Sequence, residues 1–112
     1  MSAIESSGDI EVHCHPAGSA IRSTAPYFGT IAPGDRLALL FTPGDATDPP
    51  YALKIVSPTG ATILETIVRD LPTSTPQSPS PIEFVVSTRG IYKIEIREMK
   101  GRQRGEGRLT VP

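Results

Sequence analysis

The chain has 112 residues, 38% of them hydrophobic, with 12 prolines, 10 glycines, no tryptophan and a net charge of −1. That length holds one core and not two, and the proline and glycine content leaves little room for long helices. The near-neutral charge argues against bulk attraction to nucleic acid or anionic lipid, and the single cysteine excludes an internal disulfide, so packing alone must hold the fold.

The first residues, "MSAIESSGD", carry no basic region and no apolar stretch, so they do not form a signal peptide. Residues 1–8 are expected to be a flexible N-terminus. The longest apolar run, Leu37 to Phe41, is far too short to span a bilayer. Met1 and the strand-like ending "GRLTVP" suggest a complete small protein, with 1–112 as a single domain.

Period-two alternation then recurs along the chain, bounded by Gly, Pro, Asp or Ser. In "DIEVHCH", Ile10, Val12 and Cys14 share one face, and Glu11, His13 and His15 share the other. Two short candidates follow, at Ala20 to Ser23 and Tyr27 to Ile31. "RLALLF" is apolar on both faces and reads as a central strand. "YALKIVS" aligns Leu53 with Ile55. "ATILETIV" fits a helical face through Ile63, Leu64, Ile67 and Val68, but its β-branched content and the turn before it favour a strand, expected to supply the core. The Pro/Ser/Thr-rich stretch at 70–81 reads as a crossover loop between two sheets. "IEFVVS", "GIYKIEIRE" and "RLTV" complete the series. Phe41, Phe84 and Tyr92 are expected in the core. Pro33-Gly34 and Pro43-Gly44 are type II turn signals. About seven or eight strands without a convincing helix predict an all-β, two-sheet antiparallel β-sandwich.

The cysteine and both histidines stand together in "EVHCH". On a strand, residues two apart lie about 6.8 Å from each other on one face, a spacing at which two imidazoles can share a metal. His13 and His15 meet it, with Glu11 on the same face. Glu11 and His15 are too far apart for all three to close on one ion, and there is no other His or Cys to complete the set. A solvated strand face is therefore expected, with no native metal and no cofactor. Cys14 projects away from both histidines, so the pairing of nucleophile and base that catalysis needs is missing. No Gly-x-Ser-x-Gly elbow or phosphate loop occurs either, and a non-enzyme is expected. Asp45 and Asp48 lie in the turn "GDATDPP", where Asp serves backbone capping.

"REMKGRQRGEGR" is the most basic stretch, with Arg97, Lys100, Arg102, Arg104 and Arg108 against Glu98 and Glu106. Its glycines suit a hairpin tip, which predicts an exposed, mobile finger. Without neighbouring aromatics the finger fits a protein partner better than nucleic acid. Lys100, Arg102, Arg104 and Arg108 are thus candidate partner-binding residues, joined by Tyr27 and Phe28. A glycan site would draw on Tyr27, Phe28 and Tyr51, the aromatic residues left outside the expected core.

"PIEFVVSTRGIYKIEI" resembles the closing hairpin of bacterial and phage immunoglobulin-like modules, in which a Gly-x-Tyr-x-Ile strand follows a small-residue turn. "APGDRLALLF" is similar to an earlier strand of pre-peptidase-type sandwiches. The cysteine pair and core tryptophan of antibody domains are missing. The resemblance implies an immunoglobulin-like sandwich, a fold of diverse function. Its phage members imply an accessory or decoration subunit of a larger particle that binds a protein partner or associates into a homo-oligomer. With no signal peptide or membrane-spanning segment in the sequence reading, a cytoplasmic or virion-associated location is expected. A cell-surface glycan-binding module and a metal-binding protein built on His13 and His15 are the alternatives.

Overall fold

Where apolar residues alternate with polar ones, an extended chain can bury one face and wet the other. The computed structural model, which describes residues 4–18, 30–44, 47–75 and 77–112, turns each alternating segment into a strand. Among the described residues there are eight: β1 (Ile4–Gly8), β2 (Ile10–Pro16), β3 (Asp35–Pro43), β4 (Tyr51–Val56), β5 (Thr62–Val68), β6 (Ile82–Val86), β7 (Gly90–Glu98) and β8 (Arg104–Val111). No helix occurs among the described residues, and so none that could cross a membrane.

The strands form a five-stranded sheet in the order β1-β8-β7-β4-β5 and a three-stranded sheet in the order β2-β3-β6, with every pairing antiparallel. The expected all-β, two-sheet architecture is therefore present, with β3 central in its sheet. Inward residues of both sheets form one core. Ile10, Val12, Cys14, Leu37, Leu39, Phe41, Phe84 and Val86 come from the smaller sheet, and Tyr51, Leu53, Ile55, Tyr92, Ile94, Ile96, Leu109 and Val111 from the larger. Between β5 and β6 the chain passes from the larger sheet to the smaller. Leu71 and Pro72 are buried on the way, and the Pro72 carbonyl accepts a hydrogen bond of 2.8 Å from the Phe41 N–H, on β3 beyond its pairing with β6. Ser78 closes the rest of the loop by donating to the Thr73 carbonyl at 2.8 Å.

Three expectations need correction. Part of the segment expected to be flexible, Ile4–Gly8, is strand β1, paired with β8; its Ile4 is buried and the Ser6 hydroxyl accepts a hydrogen bond from the Val12 N–H at 2.8 Å. Thr62–Val68 is a strand, not a helix, but it is an edge strand and not a core one. Only Leu64 and Val68 pack against the core, because the smaller sheet does not reach over it.

The third correction concerns the glycines of "RGEGR". Gly105 and Gly107 are not in a hairpin tip; they occupy inward positions of β8. There β2 of the other sheet comes against the β8 backbone. A Cβ on Gly105 would overlap the Ile10 carbonyl oxygen, and one on Gly107 would sit 3.0 Å from Ile4 Cδ1 and 3.1 Å from Val12 Cγ1. Glycine inside a strand marks such a close approach. Replacing Gly105 by alanine must push β2 away from β8, and we expect a loss of about 3 kcal/mol in a denaturant titration. A loss below about 1 kcal/mol, the range of ordinary point changes, would contradict the packing described.

Candidate functional site

The outer face of the smaller sheet carries the histidines. β2 is an edge strand there, and its Glu11, His13 and His15 lie opposite Thr42, Leu40 and Ala38 of β3. His13 Nε2 is 3.1 Å from Thr42 Oγ1 and 3.5 Å from Glu11 Oε2, and its side chain is only 15% exposed. The expectation of a solvated histidine face therefore fails at His13. Leu40 and Ala38 beneath are buried without belonging to the core cluster, while Glu11, Arg36, Glu83 and Val85 of the same outward face are exposed. Burial lowers the His13 pKa below its ordinary value; Glu11 opposes that shift and His15 adds to it. No group of three His, Cys, Asp or Glu residues able to hold a metal ion occurs among the described residues. Cys14 lies on the inner face, fully buried, and burial pushes its thiol well above the ordinary range. It is a core side chain with no base beside it on its own face.

The basic stretch divides. Arg104 and Arg108 are outward residues of β8, while Lys100 and Arg102 lie in the connection between β7 and β8. That connection is anchored by Glu98, which is 6% exposed. Its carboxylate accepts 2.6 Å and 2.9 Å hydrogen bonds from the backbone N–H groups of Asp48 and Gln103. The Gly101 backbone passes so close that a Cβ there would lie 2.7 Å from the Glu98 carboxyl carbon. One buried carboxylate thus ties the β3–β4 crossover to the β7–β8 turn. Tyr27, Phe28 and Asp45 lie outside the described residues. Tyr51 is buried, its hydroxyl bonded to Thr47 Oγ1, and offers no platform for a sugar.

The outer face of the larger sheet brings together residues that the sequence keeps apart. Its register sets Arg104 of β8 beside Arg97 of β7, then Ala52 of β4 and Ile67 of β5. The next row along the strands is Ser7, Glu106, Glu95, Lys54 and Glu65. Beyond it stand Glu5, Arg108, Lys93 and Val56. Lys93 Nζ approaches Glu95 at 3.3 Å and Arg108 Nε approaches Glu106 at 3.2 Å. These pairs are exposed and contribute little to stability. Among the described residues, no carboxylate lies within ion-pair distance of the Arg97 or Arg104 guanidinium, although the Arg104 backbone N–H donates to Asp9 Oδ2 at 3.3 Å. At the edge, Ile67 is 61% exposed and Ile63 42%. Sequence reading placed Arg97 and Glu106 in the basic stretch but missed the rows. "KIEIR" and "RGEGR" each alternate visibly, yet only the β7–β8 register aligns glutamate with glutamate and arginine with arginine.

The His13 environment has a measurable consequence. A histidine whose folded-state pKa lies below its unfolded value binds protons more readily when unfolded. Its contribution is intact above the unfolded value of 6.5 and is lost as pH falls from there towards the lower folded-state pKa. In thermal melts between pH 7.5 and pH 5, His13→Gln should show a shallower fall in Tm than the parent chain, and equal slopes would disprove this. No protein-family model, curated protein or solved structure matches the chain.

Proposed function

We propose that the chain is a non-catalytic structural module of immunoglobulin-like build, which binds a protein partner as an accessory or decoration subunit of a larger assembly such as a phage particle. The observation that carries the binding part is the edge of β5. Among the described residues this seven-residue strand has a partner on one side only, and it exposes Ile63 and Ile67. An edge of that length and β-branched content is a template for an added strand, whose backbone supplies affinity and whose alternate side chains supply specificity.

The charge at its centre favours a foreign strand over a second β5. The antiparallel register that pairs all seven residues of two copies sets Glu65 directly against Glu65, and like charges so placed repel. A strand with a basic or neutral residue opposite Glu65 fits without that cost.

The immunoglobulin-like part draws support from two features. β2, β3 and β6 share one sheet while β4, β7 and β8 share the other, the partition expected of such modules. The Tyr92 hydroxyl also accepts a hydrogen bond from the Thr88 N–H at 3.0 Å, four residues upstream, which resembles a tyrosine corner. An N-terminal strand antiparallel to β8 is an addition to that plan.

Ile63→Lys/Ile67→Lys should leave stability nearly unchanged, because both side chains are exposed, and should abolish binding to the parent particle in a sedimentation assay. Glu65→Thr should raise the apparent mass in light scattering by removing the guard against edge pairing. A chain whose mass is unchanged by Glu65→Thr, that binds no particle and that takes up defined oligosaccharides would overturn the reading in favour of a glycan-binding module.

A further inference from the structure

The outer face of the larger sheet is charged in a pattern that a lone molecule does not use well. Directly opposed residues on one sheet face have Cβ atoms about 5 Å apart, and like charges there are destabilising. This face contains two such pairs side by side, Glu95 with Glu106 and Arg97 with Arg104. Exchanging the residues of one strand between the two rows would have made both pairs attractive. Instead the charge is sorted into an acidic row and a basic row about 6.8 Å apart along the strands.

A two-fold axis converts this into complementarity. Consider an axis lying on the face, running across the strands midway between the two rows. It carries each basic row over the acidic row of a second copy and leaves every residue above its own strand. Arg97 then meets Glu95, and Arg104 meets Glu106, each twice by symmetry. Ala52 comes opposite Lys54, its small side chain leaving room for the longer one. Sheets packed face to face are rotated by about 30°, and these pairs suit that rotation because β7 and β8 lie side by side at and next to the middle of the sheet, where a rotation displaces residues least. The interface is isologous and closes on itself. The guanidinium groups of Arg97 and Arg104, which have no carboxylate within ion-pair distance among the described residues, acquire partners.

We propose that the outer face of the five-stranded sheet is the contact surface of a two-fold homodimer, in which Arg97 and Arg104 of each copy pair with Glu95 and Glu106 of the other. This rests on the reading of the chain as a protein-binding module; it sets Ile67 of one copy over Glu65 of the other on the sheet face and leaves the backbone edge of β5 free for an added strand.

Sedimentation velocity at low and at physiological salt tests it. The parent chain should dimerise, more weakly as salt screens the pairs. Arg97→Glu/Arg104→Glu and Glu95→Arg/Glu106→Arg should each lose self-association, by on the order of tenfold or more. Mixed one to one they should form a heterodimer, because all four rows are then complementary. The variant carrying all four exchanges should dimerise like the parent, and it decides the matter if either two-site variant fails to fold. A parent chain that is monomeric at every concentration, a mixture of folded two-site variants that stays monomeric, or a four-site exchange that does not dimerise would overturn the proposal. Self-association that survives both two-site changes would also overturn it, and loss of particle binding without loss of dimerisation in Ile63→Lys would leave the β5 reading standing on its own.

Discussion

The close approach of β2 to the backbone of β8 is the constraint on which the rest of the structure depends. Gly105 and Gly107 remove the side chains that would hold the two sheets apart at this margin, and Ile10 and Val12 occupy the space. The chain can reach this position only by turning sharply between β1 and β2. Gly8 makes the turn with φ +95, a conformation that glycine adopts without the Cβ penalty. Asp9 fixes the corner: its N–H donates to the Arg104 carbonyl at 2.7 Å, and its own carbonyl accepts from the Gly44 N–H at 3.1 Å. One edge strand is thereby placed in each sheet by a single short stretch of chain. Because this part of β8 contributes backbone to the interior, the charged side chains of Arg104, Glu106 and Arg108 are all left on the outside.

Five strands facing three cannot be covered evenly. β5 overhangs the smaller sheet, which is why Thr66 is exposed although it points inward and Leu64 and Val68 are only partly buried. Leu40 and Ala38 are buried on the corresponding face of the smaller sheet, whereas Arg97, Arg104, Arg108, Glu65 and Ile67 are exposed on the outer face of the larger one. Glu98 keeps one end of that surface in place by holding the β7–β8 turn and the β3–β4 crossover to a single carboxylate. Its burial is sustained by charge-assisted hydrogen bonds from the backbone, which offset the desolvation of the charge.

Much of the architecture was legible in the sequence, and the reason is periodicity. Alternation in "DIEVHCH", "YALKIVS" and "GIYKIEIRE" states which residues face inward without reference to any neighbour. Whatever depends on the neighbouring strand was not legible. The exposure of Ile63 and Ile67 follows from β5 being last in its sheet, which its composition does not reveal. The glycines of "RGEGR" carry two meanings, a turn or a close approach, and only the position of Ile10 on the other sheet chooses between them. His13 reads as solvated because its strand alternates cleanly, yet it lies over buried Leu40 with its side chain only 15% exposed. The charged rows needed the register of β7 against β8, and a slip of one residue would have moved their side chains to the opposite face.

Cys14 offers a final consequence. Its thiol is sealed between the sheets and held in the protonated form, while only the thiolate attacks an alkylating reagent. Modification must therefore wait until β2 separates from the core. With no second cysteine in the chain to compete, the rate of labelling is a clock for that separation, and its dependence on reagent concentration distinguishes slow opening from a fast pre-equilibrium. The protein thus carries a reporter of the parting of its two sheets, installed by nothing more than a small apolar side chain chosen for the core.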